Sequence, residues 1–267
     1  MDWQDEAIVL AARHYGEHDA VLTLLTREHG RHLGLLRGGF SRRQRPVIEL
    51  GNRLQATWRA RLPEQLGNYQ IEGLQSVAAL LLDQPLRLAA LASACGTIDA
   101  ALPEREPHPE IFVDLDILIA RLIEEAVPGE DGRPGEDRWL VEYVRWELTL
   151  LADLGFGLDL THCAVTGETE DLTYVSPKSG RAVTRSAGRG YHDRLLPLPA
   201  FLAEDHAARP DRAAILDGLR LTGHFLSRHV FAQTGQSSRL GASAISKQSA
   251  QAEGPMARRQ FLQRLQG

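Results

Sequence analysis

The sequence has few residues of several kinds, and each shortage excludes a class of protein. Lysine occurs only at positions 178 and 247, so 28 of the 30 cationic side chains are arginines. Neither lysine follows a glycine, which excludes a phosphate-binding loop of the G-x-x-x-x-G-K-[ST] type. The two cysteines are too few for a disulfide framework and are typical of a reduced, cytoplasmic protein. The longest apolar run, Val77–Leu82, is far shorter than the roughly 18 residues of a membrane span.

Catalytic signatures are also missing from the 267 residues. We find no G-x-S-x-G elbow, no H-E-x-x-H and no G-x-G-x-x-G after a strand. The acidic N-terminus, Met1–Glu6, lacks the cationic region of a secretory signal. The composition, 43% apolar and 24% charged, is that of a globular protein with material for two domains. We therefore expect a cytoplasmic protein outside these enzyme classes.

Charge is distributed unevenly along the chain. Residues 27–61 carry nine arginines against two glutamates, whereas residues 83–159 carry six cations against seventeen acids. A concentrated basic segment in an acidic protein favours a polyanionic partner at that segment. A solvated basic face is the alternative that charge alone leaves open.

The first 80 residues predict five short strands separated by turns: Glu6–Arg13, Ala20–Thr26, Gly30–Leu36, Arg53–Ala60 and Asn68–Glu72. A sheet this small removes its edges by closing on itself. The OB-fold is the five-stranded solution, and a small SH3-like barrel predicts a similar pattern.

Apolar spacings of three and four residues follow and predict helices: Val77–Leu82, Leu86–Ile98, Ile111–Ala126, Arg138–Leu154, Ala200–Glu204 and Asp211–Phe231. Residues 161–194 interrupt this pattern with a predicted hairpin. After Gly235 the composition predicts a flexible tail, with a short basic helix over Pro255–Leu265.

Three groups of residues have an order and spacing that are specific together. The first comprises Ala7–Leu10, Tyr15–Asp19, Leu24–Arg31, Gly34 and Arg37–Gly38. The second comprises Arg145–Leu148, Leu150–Leu151 and Leu154–Gly157, and the third Cys163 and Tyr174–Val183. With these stretches, which span residues 7 to about 235, the sequence resembles the bacterial recombination mediator family RecO.

The resemblance implies a multidomain α+β protein. Its parts would be an N-terminal five-stranded OB-fold barrel (1–79), a mostly α-helical domain (80–235) with a small zinc-ribbon-like hairpin insert (161–194), and a flexible C-terminal tail (236–267). It also implies a non-enzymatic, nucleoid-associated function: binding single- and double-stranded DNA, annealing complementary strands, and working with RecR to help RecA replace single-strand-binding protein (SSB), whose C-terminal tail is a partner.

Some family members hold zinc with two pairs of cysteines in the insert. Here Cys163 is followed by Thr166 where the second cysteine of its pair would be, and Ser176 and Ser179 occupy the positions of the other pair. A closed zinc site needs four cysteine or histidine ligands. We therefore expect no metal and no cofactor.

A sequence-tolerant site for single strands needs cations along a groove and rings for base stacking. The N-terminal block predicts such a site from the following residues: Arg31, Arg37, Phe40, Arg42, Arg43, Arg45, Arg53 and Arg59. Trp58 alternates with Arg59 along a strand and is predicted to pack in the core.

Three interpretations stay open beside this one. Arg145 lies on a predicted helix with Trp146 and could bind a peptide with a free carboxylate. Alternatively, Arg145 only orients its helix through ion pairs. An OB-fold accepts RNA as well as DNA. Finally, His14, His18 and Asp19 lie near one turn, and a phosphodiester hydrolase that uses them is the third interpretation.

Overall fold

The computed structural model describes residues 1–126, 138–203, 209–232 and 254–267. The chain forms two compact units, the first from Met1–Gly135 and Pro255–Leu265, the second from Glu136–Gly254. Together they have the α+β character that the sequence predicts. None of the helices in the described ranges combines the length and apolar character that crossing a bilayer requires.

The first unit begins with five strands: β1 (Asp2–Tyr15), β2 (Asp19–Thr26), β3 (Gly30–Leu36), β4 (Arg53–Arg59) and β5 (Asn68–Gln75). Neighbouring strands pair antiparallel, except β3 and β5, which pair in parallel. They close into a barrel in the order β1-β2-β3-β5-β4, with β4 pairing back onto β1. Each predicted strand is present, and β1 and β5 are longer than predicted.

Alternation along the strands builds the barrel core. In β4, Leu54, Ala56 and Trp58 are buried, and the residues between them are partly exposed. This confirms the predicted faces, and Trp58, only 3% exposed, is a packing residue. Its indole N–H donates to the backbone oxygen of Leu66 at 2.9 Å, so the polar atom of this buried ring is satisfied.

Four helices complete the first unit: α1 (Val77–Leu80), α2 (Pro85–Ala101), α3 (Pro109–Glu124) and a last helix, named α8 here (Met256–Gln266). Both α2 and α3 begin at a proline, whose missing N–H costs nothing in a first turn. The first unit extends past residue 79, where the sequence predicts a domain boundary, because these helices pack with the barrel.

The C-terminal end of the chain differs from the expected flexible tail. Phe261 and Leu265 of α8 are fully buried, and the Arg264 guanidinium donates to the backbone oxygen of Pro85 at 3.2 Å. Burial of these apolar side chains fixes the helix. The basic helix predicted over Pro255–Leu265 is thus confirmed, whereas the tail prediction is wrong for 254–267 and otherwise falls on residues 233–253, outside the described part.

The second unit contains helices and one small sheet. Its elements are α4 (Arg138–Asp153), β6 (Leu172–Val175), β7 (Ala182–Thr184), α5 (Arg185–Gly188), a 3-10 turn (His192–Arg194), β8 (Leu196–Pro197), α6 (Ala200–Ala203) and α7 (Arg212–Phe225), which continues as a π-helix (Leu226–Phe231). The sheet order is β7-β6-β8. The predicted hairpin is present as β6 and β7, and β8 adds a third strand that the sequence analysis did not predict.

Candidate nucleic-acid interface

The basic segment between β3 and β4 forms a compact series of turns. The Ser41 N–H donates to the Gly38 oxygen and the Arg45 N–H to the Ser41 oxygen, both at 2.9 Å. Farther along, Ile48 is only 3% exposed and belongs to the barrel core. The buried Ile48 anchors the segment, and its arginines face solvent.

Two hydrogen bonds tie this segment to the turn between β1 and β2. The Gly38 N–H donates to Asp19 Oδ1 at 2.7 Å, and the Phe40 N–H donates to the His18 oxygen at 3.0 Å. Gly39 lies between them, and a Cβ there would come within 2.5 Å of the Ala20 Cβ. Close packing is therefore the reason for glycine at position 39.

Phe40 is only partly available for base stacking. Its ring stacks on His14, with centroids 3.5 Å apart and planes 13° from parallel, and it also packs against the barrel core. Next to His14, at the same end of β1, Tyr15 is 57% exposed. Tyr15 is not among the predicted site residues, because the sequence shows it only as part of the Tyr15–Asp19 stretch and gives no sign of its exposure.

Four of the predicted arginines are exposed and uncommitted. In the described ranges, no carboxylate lies within ion-pair distance of their guanidinium groups, and only one acidic residue, Glu49, lies in this segment. The four are Arg37, Arg42, Arg43 and Arg45. An arginine without an internal acid can pair its planar fork with phosphate at no cost of breaking an existing contact.

Arg31 and Arg53 are engaged elsewhere in the first unit. The Arg31 Nε atom lies 2.8 Å from Asp99 Oδ1 of α2, and the Arg53 Nε atom lies 2.6 Å from Asp116 Oδ1 of α3. Arg53 also donates to Gln75 Oε1 and to the Asp116 backbone oxygen. The structure therefore places these two cations between barrel and helices, where each is paired with an acid.

Arg59 is exposed and lies two strand pairings away from the end of β3. It ends β4 and pairs with Asn68 of β5, and Asn68 pairs in turn with Leu35, two residues before Arg37. Its nearest acid is Asp2, at 3.9 Å, with both side chains mostly exposed. The eight predicted residues thus separate into a cluster of four arginines with Phe40, two structural ion pairs, and the exposed Arg59 near the end of β3.

Two of the N-terminal histidines, His29 and His32, each have a structural partner. His29 Nδ1 lies 3.0 Å from Asp5 Oδ2, and its ring stacks on Trp3. His32 is buried, and its Nδ1 lies 2.8 Å from the Tyr69 hydroxyl. Burial, together with the nearby Arg105 and His29 charges, lowers the pKa of His32 to about 4.

The residues of the hydrolase interpretation, His14, His18 and Asp19, lie at one turn, and each has a structural partner. The His14 ring stacks on Phe40, the His18 oxygen accepts the Phe40 N–H, and Asp19 Oδ1 accepts the Gly38 N–H. In the described residues no group of three His, Cys, Asp or Glu side chains could hold a metal. Each of these contacts has a structural purpose, so the hydrolase interpretation gains no assembled site from the fold.

In the second unit, Arg145 of α4 is half exposed. It lies 3.5 Å from Glu142 and donates to the Phe201 backbone oxygen at 3.3 Å. Its neighbour Trp146 is 5% exposed, and Glu147 is fully buried with a hydrogen bond from the Thr222 hydroxyl. Arg145 is therefore accessible to a carboxylate, while Trp146 belongs to the core and is not available to line a groove.

The residues of the insert do not fit a zinc ion. Cys163 Sγ accepts the Thr184 N–H at 3.4 Å, and Thr166, Ser176 and Ser179 stand at the positions of the missing thiols. Burial favours the neutral thiol. Hydrogen bonds from the Thr166 hydroxyl and from backbone N–H groups outweigh burial and lower the pKa of Cys163 to about 6. The Thr166 hydroxyl and backbone donors thus serve this sulfur.

Two family models match nearly the whole described chain. The model for the recombination protein O N terminal covers residues 1–77, and that for the recombination protein O C terminal covers residues 82–238. The first corresponds to the barrel. The second begins at the helices that follow it.

Curated relatives agree with these models over most of their own length. A DNA repair protein RecO from Rhodospirillum centenum is 53% identical over 234 residues, which cover 87% of this chain and 88% of the relative. Proteins of the same name from Rhodospirillum rubrum and Mesorhizobium japonicum are 48% and 47% identical, each over at least 86% of this chain and 87% of the relative. The chain therefore belongs to the RecO family of DNA repair proteins, as the residues of its barrel, helix α4 and insert predict.

Proposed function

We propose that this RecO protein is a recombination mediator that binds DNA on its barrel and anneals complementary strands. The observation that carries the proposal is the group of four uncommitted arginines, Arg37, Arg42, Arg43 and Arg45, which we call the arginine cluster. It occupies a segment held in place by Ile48 and by Asp19. Because the segment is anchored, little conformational entropy is lost when DNA binds.

The barrel is, in this proposal, an OB-fold. Five strands that close into a barrel, with β3 beside β5 and β4 returning to β1, are consistent with that architecture. OB-folds bind single strands through basic grooves and aromatic platforms. Phe40 and Tyr15 supply the rings in this account, and the arginine cluster supplies the cations.

Phosphates are common to single-stranded DNA, double-stranded DNA and RNA, so the arginine cluster alone does not select among them. We propose single-stranded DNA as the principal ligand because stacking on an exposed ring requires an accessible base face, and double-stranded DNA as a weaker one. Competition between DNA and RNA strands of one sequence tests this choice. Preference for RNA would favour an RNA-binding module.

The mediator role adds protein partners. In this proposal the chain acts with RecR at the nucleoid in the cytoplasm to help RecA replace SSB on single strands. Arg145, accessible and only weakly paired with Glu142, binds the carboxylate of the SSB C-terminal tail. Arg145→Ala should then weaken binding of the tail peptide and leave binding of free single strands unchanged. The matched control is Arg220→Ala, which removes another arginine that lies beside an acid three residues away.

The experiment for the function is annealing of complementary strands coated with intact SSB or with SSB that lacks its tail. The proposal predicts that the protein accelerates annealing, that Arg42→Gln/Arg43→Gln slows it on both substrates, and that Arg145→Ala slows it only when the tail is present. No acceleration on either substrate would contradict the proposal.

A further inference from the structure

A second basic and aromatic segment lies in the other compact unit, at residues 185–194. It joins β7 to β8, so strands of one sheet hold both of its ends. The Tyr191 N–H donates to the Gly188 oxygen and the Arg194 N–H to the Tyr191 oxygen, both at 2.8 Å. Gly188 itself packs so closely that a Cβ would lie 2.7 Å from the Tyr174 ring. The segment is thus a fixed projection of the sheet.

The side chains of this projection face solvent. Tyr191 is 63% exposed, and a Cβ added at the adjacent Gly190 would meet no atom within 4 Å. Arg189 and Arg194 are also exposed, and neither guanidinium has an acidic partner within the part of the chain that the structure describes. The one acid in the segment, Asp193, lies 3.1 Å from His192.

This combination differs from an ordinary charged surface. Arg185 at the start of the segment shows the ordinary case, because its Nε atom lies 3.3 Å from Asp171 Oδ1. Arg189 and Arg194 are instead placed two residues before and three residues after an uncovered aromatic ring. An exposed tyrosine ring between two arginines without acidic partners offers a ligand both a flat aromatic face and two cations.

We propose that Tyr191, Arg189 and Arg194 form a second contact for single-stranded DNA, in which a base stacks on the tyrosine ring and neighbouring phosphates pair with the two guanidinium groups. Single-stranded nucleic acid is the ligand that presents a base face and flanking phosphates together. The inference rests on the proposed function, that the protein binds DNA. It adds a site in the second unit, separate from the arginine cluster of the barrel.

A second contact has a use in annealing. An annealing protein must keep two strands, or two parts of one strand, accessible for pairing, and a sequence-tolerant stacking contact holds a strand without engaging its pairing edge. The ring of Tyr191 fits that requirement because stacking uses the base face and leaves hydrogen-bonding groups free.

The test compares variants of the full-length protein for binding to labelled oligothymidine over a salt series. Tyr191→Ala should weaken binding about fivefold or more, the smaller cost measured for loss of one stacking ring. Tyr191→Phe keeps the ring and should bind as the wild type does. Arg189→Gln/Arg194→Gln should reduce the slope of log affinity against log salt by about 1.4, since each phosphate on a single strand contributes about 0.7.

The matched control is Arg185→Gln/Arg220→Gln, which removes the same charge from two arginines that lie in ion pairs. Cross-linking provides a second measurement: oligonucleotides with 5-iododeoxyuridine should attach to the peptide that contains Tyr191.

Each outcome distinguishes this inference from the proposed function. If Tyr191→Ala and Arg189→Gln/Arg194→Gln bind as the wild type does while Arg42→Gln/Arg43→Gln binds weakly, the second contact is wrong and the barrel site stands. If Tyr191→Phe loses as much affinity as Tyr191→Ala, the stacking mechanism is wrong. If the wild type does not bind single strands at all, the proposed function fails and this inference fails with it.

Discussion

Removal of Arg42 and Arg43 gives a quantitative test of the arginine cluster. Each phosphate neutralised on a single strand contributes about 0.7 to the slope of log affinity against log salt, so the four arginines together account for a slope of about −2.8. Arg42→Gln/Arg43→Gln should make the slope shallower by about 1.4. At 0.1 M salt, release of the corresponding counterions amounts to about 2 kcal/mol, an affinity loss of about 30-fold.

The assay is fluorescence anisotropy of labelled oligothymidine titrated at several salt concentrations. Arg121→Gln/Arg220→Gln is the matched control, because it removes the same charge from two exposed arginines, each with an acid three residues away on its own helix. The reasoning is refuted if the cluster variant keeps the wild-type slope. It is refuted equally if the control variant lowers the slope by the same amount.

Three further predictions concern stability. Asp116→Asn should lower the free energy of unfolding by about 1–3 kcal/mol in urea, because it leaves the mostly buried Arg53 guanidinium without its acid; an unchanged midpoint would show that the pair contributes nothing. His32 has a folded pKa of about 4, below its value of about 6.5 in the unfolded chain, so its stabilising effect is complete above pH 6.5 and is lost as the pH falls toward 4. His32→Gln should therefore flatten thermal stability between pH 6.5 and 4, and an unaltered acid profile would count against this. Cys163 has a folded pKa of about 6, below its usual value of 9.0, so it should add stability as the pH rises from 6 to 9 and none below 6. Cys163→Ser should remove that rise in melting temperature between pH 6 and 9. A variant that keeps the rise would contradict this prediction.

The barrel was predictable because its strands carry a local signal. Alternation in β4 follows directly from residue type, and Gly30 and Gly38 mark the ends of β3 with left-handed backbone. In β3, by contrast, His32 and Gly34 are buried and Leu33 and Leu35 are only partly buried, so residue type alone does not give its inner face. The bounds of β3 agree with the prediction residue for residue. Helix periodicity gave α3 and α4, because each buries one apolar stripe.

Which arginines form ion pairs and which stay exposed was not predictable, because the acidic partners lie far away in the sequence. Arg31 meets Asp99 and Arg53 meets Asp116, partners 68 and 63 residues later in the sequence. No local pattern distinguishes these arginines from Arg42 or Arg43. Only the packing of α2 and α3 on the barrel determines which cations remain available.

Packing also determines whether the C-terminal helix α8 is buried or solvated. The segment after Pro255 shows helical spacing of Phe261 and Leu265, and periodicity alone leaves open whether such a helix packs or stays solvated. Both side chains are buried in the first unit, so the surface on which α8 packs decided the outcome.

Chemical footprinting of the arginines tests the central claim most directly. The full-length protein would be treated with phenylglyoxal, which modifies accessible guanidinium groups, with and without saturating oligothymidine, and each site would be quantified by mass spectrometry. The account predicts that Arg37, Arg42, Arg43 and Arg45 react in the free protein and are protected by DNA, while Arg53 reacts little in either state. If the reactivity of those four is the same with and without bound DNA, the barrel is not where the strand lies.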